Sequence, residues 1–166
     1  MAERNFVLSK AAAQEKLHRM ALEVAETVSE DDVPLVLIGV RNSGLQIAEK
    51  LSSYLLQYVR VPVQIISVVL DKHQPAEVQL SEQINFEGKN VILVDDVSNS
   101  GRTLLYALKP LLDVHPRRIQ TLVLVERMHK LFPVKPDYVG LSVATAPQDY
   151  IRVDIEAGEI IGAYVE

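Results

Sequence analysis

The stretch NVILVDDVSNSGRTLLYALKPLL, from Asn90 to Leu112, carries the strongest pattern in this sequence. Four apolar residues, Val91–Val94, predict a strand that is buried on both faces. The apolar run ends at two aspartates, Asp95 and Asp96, and a small polar loop over Val97–Gly101 follows. A buried strand that delivers two carboxylates and several hydroxyls to one point indicates a candidate binding site.

Strands and helices alternate along the rest of the chain. The alternation is typical of an α/β fold, in which a parallel twisted sheet is flanked by helices and joined by right-handed crossovers. No linker or repeat interrupts the pattern, so residues 1–166 are predicted to form a single domain. The predicted strands are Pro34–Val40, Val63–Leu70, Val91–Val94 and Ile119–Val125. The predicted helices are Ser9–Ser29, a segment from Gly44 onward, and Gly101–Val114, which Pro110 is expected to kink or end.

Two segments depart from this alternation. The long polar segment Asp71–Lys89 has weak periodicity, and it predicts a functional lid, a loop held by a partner subunit, or a short hairpin with polar turns. Lys72 and His73 within it are interpreted as a charged loop tip. The last part of the chain alternates apolar and polar residues, which predicts short strands, the final two joined by a hairpin near Ala157 and Gly158.

Composition restricts the classes of function. The chain has 166 residues, a formal net charge of −5 and no cysteine. The charge disfavours a general nucleic-acid coat protein, and the lack of cysteine excludes disulfides and thiolate metal sites. The four histidines lack metal-ligand spacing. No signal-like segment opens the chain and no apolar run reaches the roughly 20 residues that cross a bilayer, so a cytoplasmic protein without membrane contact is expected.

The polar loop after the aspartates has the chemistry of a phosphate cradle. At a helix start the first backbone N–H groups lack partners and favour an anion. Gly101 permits close approach of the backbone, and Ser98, Ser100 and Thr103 add hydroxyl donors. The two carboxylates suit the vicinal hydroxyls of a ribose, or a hard cation such as Mg²⁺. The simpler interpretation is a strand-to-helix turn with a Ser or Asn cap, which does not need two adjacent carboxylates.

VILVDDVSNSGRT resembles the phosphoribosyl-pyrophosphate (PRPP) signature of the type I phosphoribosyltransferases. The likeness is greatest to the bifunctional pyrimidine-operon attenuator/uracil phosphoribosyltransferases. It extends over VLSKAAAQEKLHRMALEVAE, VLIGVRNSGLQIAEKL and RRIQTLVLVERMHKLFPVKPDYVGLSVAT, which is most of the chain. The resemblance implies the type I phosphoribosyltransferase fold, with a small hood built from the C-terminal and N-terminal parts of the chain.

The resemblance also implies roles for individual residues. Asp95 and Asp96 would contact the ribose hydroxyls of PRPP and, with Arg41, are the catalytic candidates. No metal site made of protein ligands alone is expected; Mg²⁺ would arrive with PRPP and lie near Asp95 and Asp96. The remaining candidates are Ser98, Asn99, Ser100, Gly101, Arg102 and Thr103 for the 5-phosphate, Arg41, Asn42, Ser43 and Gly44 for pyrophosphate, and Lys135, Tyr138 and Val139 for the base.

Several positions depart from the family pattern. Ser98 stands where many members have an aliphatic residue, and Asn99 stands where the purine enzymes place an aspartate that assists base deprotonation. An asparagine cannot accept a proton in that role, which weighs against a purine-salvage mechanism. Ser43 replaces an arginine that is usual in the attenuator proteins, and SVVLDKHQPAEV lacks their Tyr-Arg-Asp-Asp type motif. Both changes bear on catalytic efficiency and disfavour RNA binding.

Two functions are compatible with these residues. The first is a nucleobase phosphoribosyltransferase that uses PRPP and Mg²⁺, with uracil as the favoured base. The alternative is a weakly catalytic or non-catalytic PRPP or nucleotide sensor on the same fold, with a link to RNA that is compatible but not favoured. A homo-oligomer, most simply a dimer, is expected, and Leu131 and Phe132 would suit an interface or the core.

Two single basic residues and one basic group can each be interpreted in more than one way. Arg41 follows a strand and could neutralise pyrophosphate or be a solvated loop cation. Lys135 could bind the base or lie on the surface. A group of basic residues in the second half of the chain could read RNA, pair with acids or face a partner, and a solvated face is the favoured interpretation. These residues are Arg117, Arg118, Arg127, His129 and Lys130.

Overall fold

The core of the molecule is a six-stranded sheet with the order β4-β3-β2-β5-β6-β7. The computed structural model describes residues 4–71 and 77–166. All neighbouring strands of this sheet are parallel except β4, which is antiparallel to β3. This confirms the predicted α/β class. The strands are β2 (Leu35–Val40), β3 (Val63–Leu70), β4 (Val78–Leu80), β5 (Asn90–Ser98), β6 (Arg118–Arg127) and β7 (Tyr138–Val143).

The central strands are apolar because both of their faces are covered. Every residue of β2 and β5 is buried. Side chains alternate between the faces. Ile92 and Val94 pack into one apolar cluster, and Val91 and Leu93 pack into the other. The sheet is therefore the middle of three layers, as expected for a parallel sheet.

Two helices cover the first face and a shorter one covers the second. They are α1 (Lys10–Asp31), α2 (Arg41–Leu55) and α3 (Arg102–Ala107). Ser9 caps α1 as predicted, because its Oγ accepts a hydrogen bond of 3.1 Å from the Ala12 amide. The predicted helix from Gly44 onward is confirmed, although α2 begins earlier, at Arg41, directly after β2.

The predicted helix over Gly101–Val114 is shorter than its predicted bounds, and the prediction that Pro110 kinks or ends it is confirmed. α3 has six residues and is followed by a short 3-10 helix over Lys109–Leu111. Pro110 has no N–H, and its ring would clash with the Tyr106 carbonyl four residues earlier if the α-helix continued. The backbone instead forms 3-10 turns, in which the Leu108 amide donates a hydrogen bond of 3.3 Å to the Leu105 carbonyl.

A second, three-stranded antiparallel sheet has the order β1-β9-β8. Its strands are β1 (Asn5–Ser9), β8 (Ile151–Glu156) and β9 (Glu159–Val165), which join the two ends of the chain as a hood. The hairpin at Ala157 and Gly158 is confirmed, and both residues have positive φ values, 50° and 78°. β1 was not predicted from the sequence.

The segment after β3 forms a hairpin in its described part. Val68 pairs with Leu80 and Leu70 pairs with Val78. The hairpin interpretation of Asp71–Lys89 is thus confirmed for β3 and β4. Lys72 and His73 lie outside the described residues, so their assignment as a charged loop tip stays a prediction. None of the helices in the described ranges combines the length and apolarity needed to span a bilayer.

Candidate functional site

The loop between β5 and α3 lies at the carboxyl end of the central strand. β5 continues through Ser98, so the prediction that the strand ends at Val94 is wrong and only Asn99–Gly101 connects it to α3. Gly101 has a φ of 88°, and a Cβ there would lie 3.2 Å from the Phe132 carbonyl oxygen. The Ser100 carbonyl accepts hydrogen bonds from the amides of Leu131 and Phe132 at 3.0 and 3.1 Å. The loop is therefore held in one conformation that requires glycine.

A pocket of about 630 Å³ opens beside this loop. Its volume lies in the range of small-molecule and cofactor sites. All six residues predicted to bind the 5-phosphate line it, together with four residues of the hood that were not predicted. The lining residues are Val97, Ser98, Asn99, Ser100, Gly101, Arg102, Thr103, Leu104, Tyr150, Ile151, Arg152 and Glu166.

Two polar groups at the pocket have no hydrogen-bond partner among the described residues. Ser98 is 3% exposed, and its hydroxyl is unsatisfied. The Nε atom of Arg102 is likewise buried and unsatisfied, while its guanidinium lies 5.9 Å from the centre of the Tyr106 ring. A buried polar group without a partner costs about 1–3 kcal/mol. A bound ligand with acceptor oxygens would satisfy both groups.

The two aspartates lie in β5, just before the pocket. Asp95 is 1% exposed, and its Oδ1 accepts a 2.8 Å hydrogen bond from the Asp96 amide. Asp96 is 9% exposed, and its Oδ1 accepts a 2.7 Å hydrogen bond from the Val97 amide. Neither side chain is part of the pocket lining described above. Their contact with a ribose stays a prediction, for which Asp96 is the more accessible group.

The predicted pyrophosphate loop forms the first turn of α2. Arg41 adopts a positive φ of 54°, and its Nε donates a 2.6 Å hydrogen bond to the Leu70 carbonyl. A β-carbon on Gly44 would lie 2.5 Å from the Val94 carbonyl oxygen and 3.4 Å from the Asp95 Cα atom. This turn therefore packs directly on the end of β5. Asn42 is exposed and Ser43 is half-buried.

None of the predicted base-binding residues is among those that line this pocket. Lys135 is exposed. Tyr138 is buried at the start of β7, where its hydroxyl donates a 2.8 Å hydrogen bond to Gln120 Oε1. Burial raises the pKa of this phenol above its usual value. The Val139 carbonyl accepts a hydrogen bond from Arg19. Their roles towards a base stay predictions.

The hood residues at the pocket were missed by the sequence analysis. Asn99 is half-buried, and its side-chain amide bonds to both backbone groups of Ile151, accepting from the amide at 3.3 Å and donating to the carbonyl at 3.5 Å. Arg152 pairs with Glu166 at 2.7 Å on the pocket rim. No local pattern marks these residues, because 52 positions separate Asn99 from Ile151.

Most of the basic residues are paired with acids or carbonyls. Arg117 and Arg118 both contact Asp31, at 3.1 and 3.0 Å. Arg127 is 8% exposed and donates to Thr145 Oγ1 at 2.9 Å, and Lys130 pairs with Glu126 at 3.4 Å. The favoured interpretation of a solvated basic face is wrong for Arg127 and Lys130, because their charged groups are held at the carboxyl end of β6.

Among residues 4–71 and 77–166, no three His, Asp or Glu side chains come together as a metal site. Mg²⁺ bound to phosphate substrates commonly uses one or two carboxylates and completes its shell with substrate oxygens and water. The carboxylate of Asp96, next to the pocket, fits that sparse donor set.

The chain was compared with known families, proteins and structures. The model of the family described as "Phosphoribosyl transferase domain" matches residues 8–155. The Bifunctional protein PyrR of Limosilactobacillus reuteri is 35% identical over 162 residues, covering 90% of each chain. The Bifunctional protein PyrR of Actinobacillus pleuropneumoniae is 35% identical over 150 residues, covering 84% of this chain and 83% of its own length.

Solved structures agree with this fold. The hypoxanthine phosphoribosyltransferase of Trypanosoma cruzi has a TM-score of 0.79 at 20% identity, and the match covers 98% of this chain and 97% of that one. A hypoxanthine-guanine phosphoribosyltransferase of Bacillus anthracis has a TM-score of 0.70 at 23% identity, covering 91% and 87%. At these identities the structures support the fold alone.

Proposed function

Because the chain belongs to the phosphoribosyl transferase domain family, and is thus an enzyme of the pentosyltransferase class, we propose that it transfers ribose 5-phosphate from PRPP to a nucleobase. Pyrophosphate is released, and uracil is the proposed base. The supporting observation is the pocket beside Asn99–Gly101, where the buried Ser98 hydroxyl has no partner in the part of the chain that the structure describes. The 5-phosphate would accept hydrogen bonds from this hydroxyl and from Ser100 and Thr103.

The proposed binding of PRPP extends from this loop to α2. Asp96 would accept hydrogen bonds from the ribose hydroxyls and hold a Mg²⁺ ion that arrives with PRPP. Arg41 would face the pyrophosphate; its bond to Leu70 uses Nε, while a guanidinium carries five N–H donors. When bound, Mg²⁺ neutralises charge on the phosphate oxygens.

The proposed reaction depends on how the protein positions the substrates and stabilises the charge that develops on them, and less on a nucleophilic side chain. Breaking the bond at C1 places positive charge on the ribose and negative charge on pyrophosphate, which cationic and N–H donors stabilise. Uracil is preferred to a purine because the Asn99 amide cannot accept a proton from the base, and both of its polar atoms bond to Ile151.

A second function, PRPP or nucleotide sensing with slow turnover, is favoured by one observation. All three catalytic candidates already have protein partners: Asp95 accepts from the Asp96 amide, Asp96 accepts from the Val97 amide, and Arg41 donates to Leu70. Binding requires the phosphate loop, whereas efficient turnover also requires these groups to act on the substrate. A link of such a sensor to RNA is part of this second proposal.

Incubation with PRPP, Mg²⁺ and a panel of bases tests the proposal. Wild-type protein should form uridine 5′-monophosphate and pyrophosphate, detected by chromatography, and Asp96→Asn should weaken PRPP binding at least 10-fold in calorimetry, as removal of a charge-assisted contact does, by about 1.5–3 kcal/mol. The control is Asp113→Asn, which removes an exposed carboxylate that follows α3 in the chain. This variant should bind PRPP normally. PRPP binding without any nucleotide product supports the sensor, and no PRPP binding refutes both functions.

A further inference from the structure

The strand β8 is the edge of the hood that contacts the phosphate loop, Asn99–Gly101. In its sheet β8 pairs with β9 on one side, so its other edge carries backbone groups that the sheet leaves unpaired. Just before β8, Tyr150 and Glu166 exchange both of their backbone hydrogen bonds, at 3.0 and 2.8 Å. Bonded and non-bonded pairs alternate in an antiparallel ladder. The N–H and C=O groups of Ile151, the next residue, therefore point to the free edge of β8.

The side-chain amide of Asn99 satisfies both of these backbone groups. Its Oδ1 accepts a hydrogen bond from the Ile151 amide at 3.3 Å, and its Nδ2 donates to the Ile151 carbonyl at 3.5 Å. Ile151 is 2% exposed, and a buried backbone group without a partner is costly. A side-chain amide offers a donor and an acceptor as a peptide group does, whereas an ionised carboxylate only accepts. Asn99 thus takes the place that a further strand would have beside β8.

This contact places one wall of the pocket. The pocket is lined on one side by the phosphate loop and the start of α3, and on the other side by the hood residues Tyr150–Arg152 and Glu166. The hood is also tied to α2, through the ion pair of Lys50 with Glu159. Loss of the contact between Asn99 and Ile151 should therefore free the pocket wall without detaching the hood.

We infer that Asn99 is a positioning residue, which holds the hood against the phosphate loop so that the pocket is formed before a ligand binds. This inference rests on the proposed function of that loop, and it assigns the Asn99 side chain to the hood and not to the phosphate. A preformed site binds more tightly because the ligand does not have to order the protein. Both hydrogen bonds are long, so the expected contribution to affinity is moderate, about 2- to 10-fold.

Hydrogen exchange of the Ile151 amide, measured by NMR on the protein without ligand, tests the contact itself. Asn99→Ala should lower the protection of this amide by about 2- to 10-fold. Asn99→Asp keeps the acceptor, but at neutral pH its carboxylate has no proton for the Ile151 carbonyl. When the pH falls through the carboxyl pKa, ordinarily about 3.9, the introduced group gains a donor. Protection in this variant should then return towards that of wild type.

Other ionisable groups lie near the contact and are the same in every variant. Asp96 precedes the loop in β5, and Arg102, Arg152 and Glu166 line the pocket. Dividing each protection value by the wild-type value at the same pH removes their titration from the comparison. If Asn99→Ala does not fold, as judged by circular dichroism, Asn99→Asp at two pH values supplies the same comparison.

The dissociation constant of ribose 5-phosphate, measured by calorimetry, tests what the contact does for the pocket. Asn99→Ala should bind this ligand about 2- to 10-fold more weakly than wild type. Saturating wild type with ribose 5-phosphate should leave the Ile151 amide at least as protected as before. The control is Asn85→Ala, which removes an exposed side chain that accepts from the Glu87 amide at 3.0 Å and does not line the pocket. It should change neither measurement.

The outcomes separate this inference from the function on which it rests. If protection of Ile151 falls when ribose 5-phosphate binds, the Asn99 side chain has turned to the phosphate, and the positioning role is refuted. Equal protection or equal affinity in wild type and Asn99→Ala refutes it as well, as does protection that stays low in Asn99→Asp at acid pH. If wild type shows the contact but binds no ribose 5-phosphate, the proposed phosphate site fails and the positioning role fails with it.

Discussion

A methyl group added at Gly44 tests the close packing of α2 on the end of β5. The Cβ of Gly44→Ala would lie 2.5 Å from the Val94 carbonyl oxygen, and backbone atoms cannot rotate away as a side chain can. The helix must move by about 1 Å to reach an ordinary contact distance. Such overpacking costs about 1–3 kcal/mol, and the higher helix propensity of Ala returns up to about 1 kcal/mol.

The expected net effect is a loss of about 1–2 kcal/mol in the free energy of unfolding. For a domain of this size, that lowers Tm by about 2–8 °C. The assay is urea unfolding followed by circular dichroism, with Tm from a thermal scan. Because the same shift moves Arg41 relative to Asp95, PRPP affinity should fall as well.

Glu49→Ala provides the matched control, since Glu49 is exposed on the same helix. Its replacement changes helix propensity by only a few tenths of a kcal/mol, without a new contact, so stability should stay close to that of wild type. If Gly44→Ala unfolds at the same or a higher urea concentration than wild type, helix propensity outweighs packing there. The close approach of α2 and β5 would then be refuted.

Two further predictions address the pocket and the amino ends of the central strands β5 and β6. Ser98→Ala should leave the free energy of unfolding unchanged or slightly higher, because the hydroxyl has no partner among residues 4–71 and 77–166. The same change should weaken ribose 5-phosphate binding about 2- to 10-fold in calorimetry. A clear loss of stability with unchanged affinity would show that the hydroxyl serves the fold. The pKa of Asp31 lies below the ordinary value of an aspartate, chiefly because Asn90 and Arg117 donate hydrogen bonds to its carboxylate. Its contribution to stability is therefore present above about pH 3.8 and is lost as pH falls through the lower folded-state pKa. Asp31→Asn should destabilise the protein at pH 7, and the difference from wild type in urea unfolding should shrink below pH 4; a difference that stays constant down to pH 2 would contradict the linkage.

The sequence alone determined the central strands and the location of the phosphate loop. Strands buried on both faces must be continuously apolar, so β2, β5 and most of β6 were visible as runs of Val, Leu and Ile. β3 is also a mostly apolar run, although one of its faces is only partly covered and Val69 is exposed. Ser9 and the Ala157–Gly158 turn were equally predictable, because capping and tight turns depend on residues that are adjacent in the chain. The signature from Asp95 to Thr103 is local in the same sense.

Only the tertiary structure decided where these elements end and what faces the pocket. β5 continues to Ser98 because β6 supplies a parallel partner as far as Glu126, and α2 begins at Arg41 because Gly44 lies against β5. Local periodicity contains neither constraint.

The hood shows the same limit most clearly. β1 is a strand only because β9, from the other end of the chain, pairs with it, and Asn99 meets Ile151 across 52 positions. Such contacts form when distant segments are brought together by burial of the shared core, so no short window of sequence contains them. The exposure of Tyr150 and its place at the pocket follow from that assembly and from nothing in its neighbouring residues.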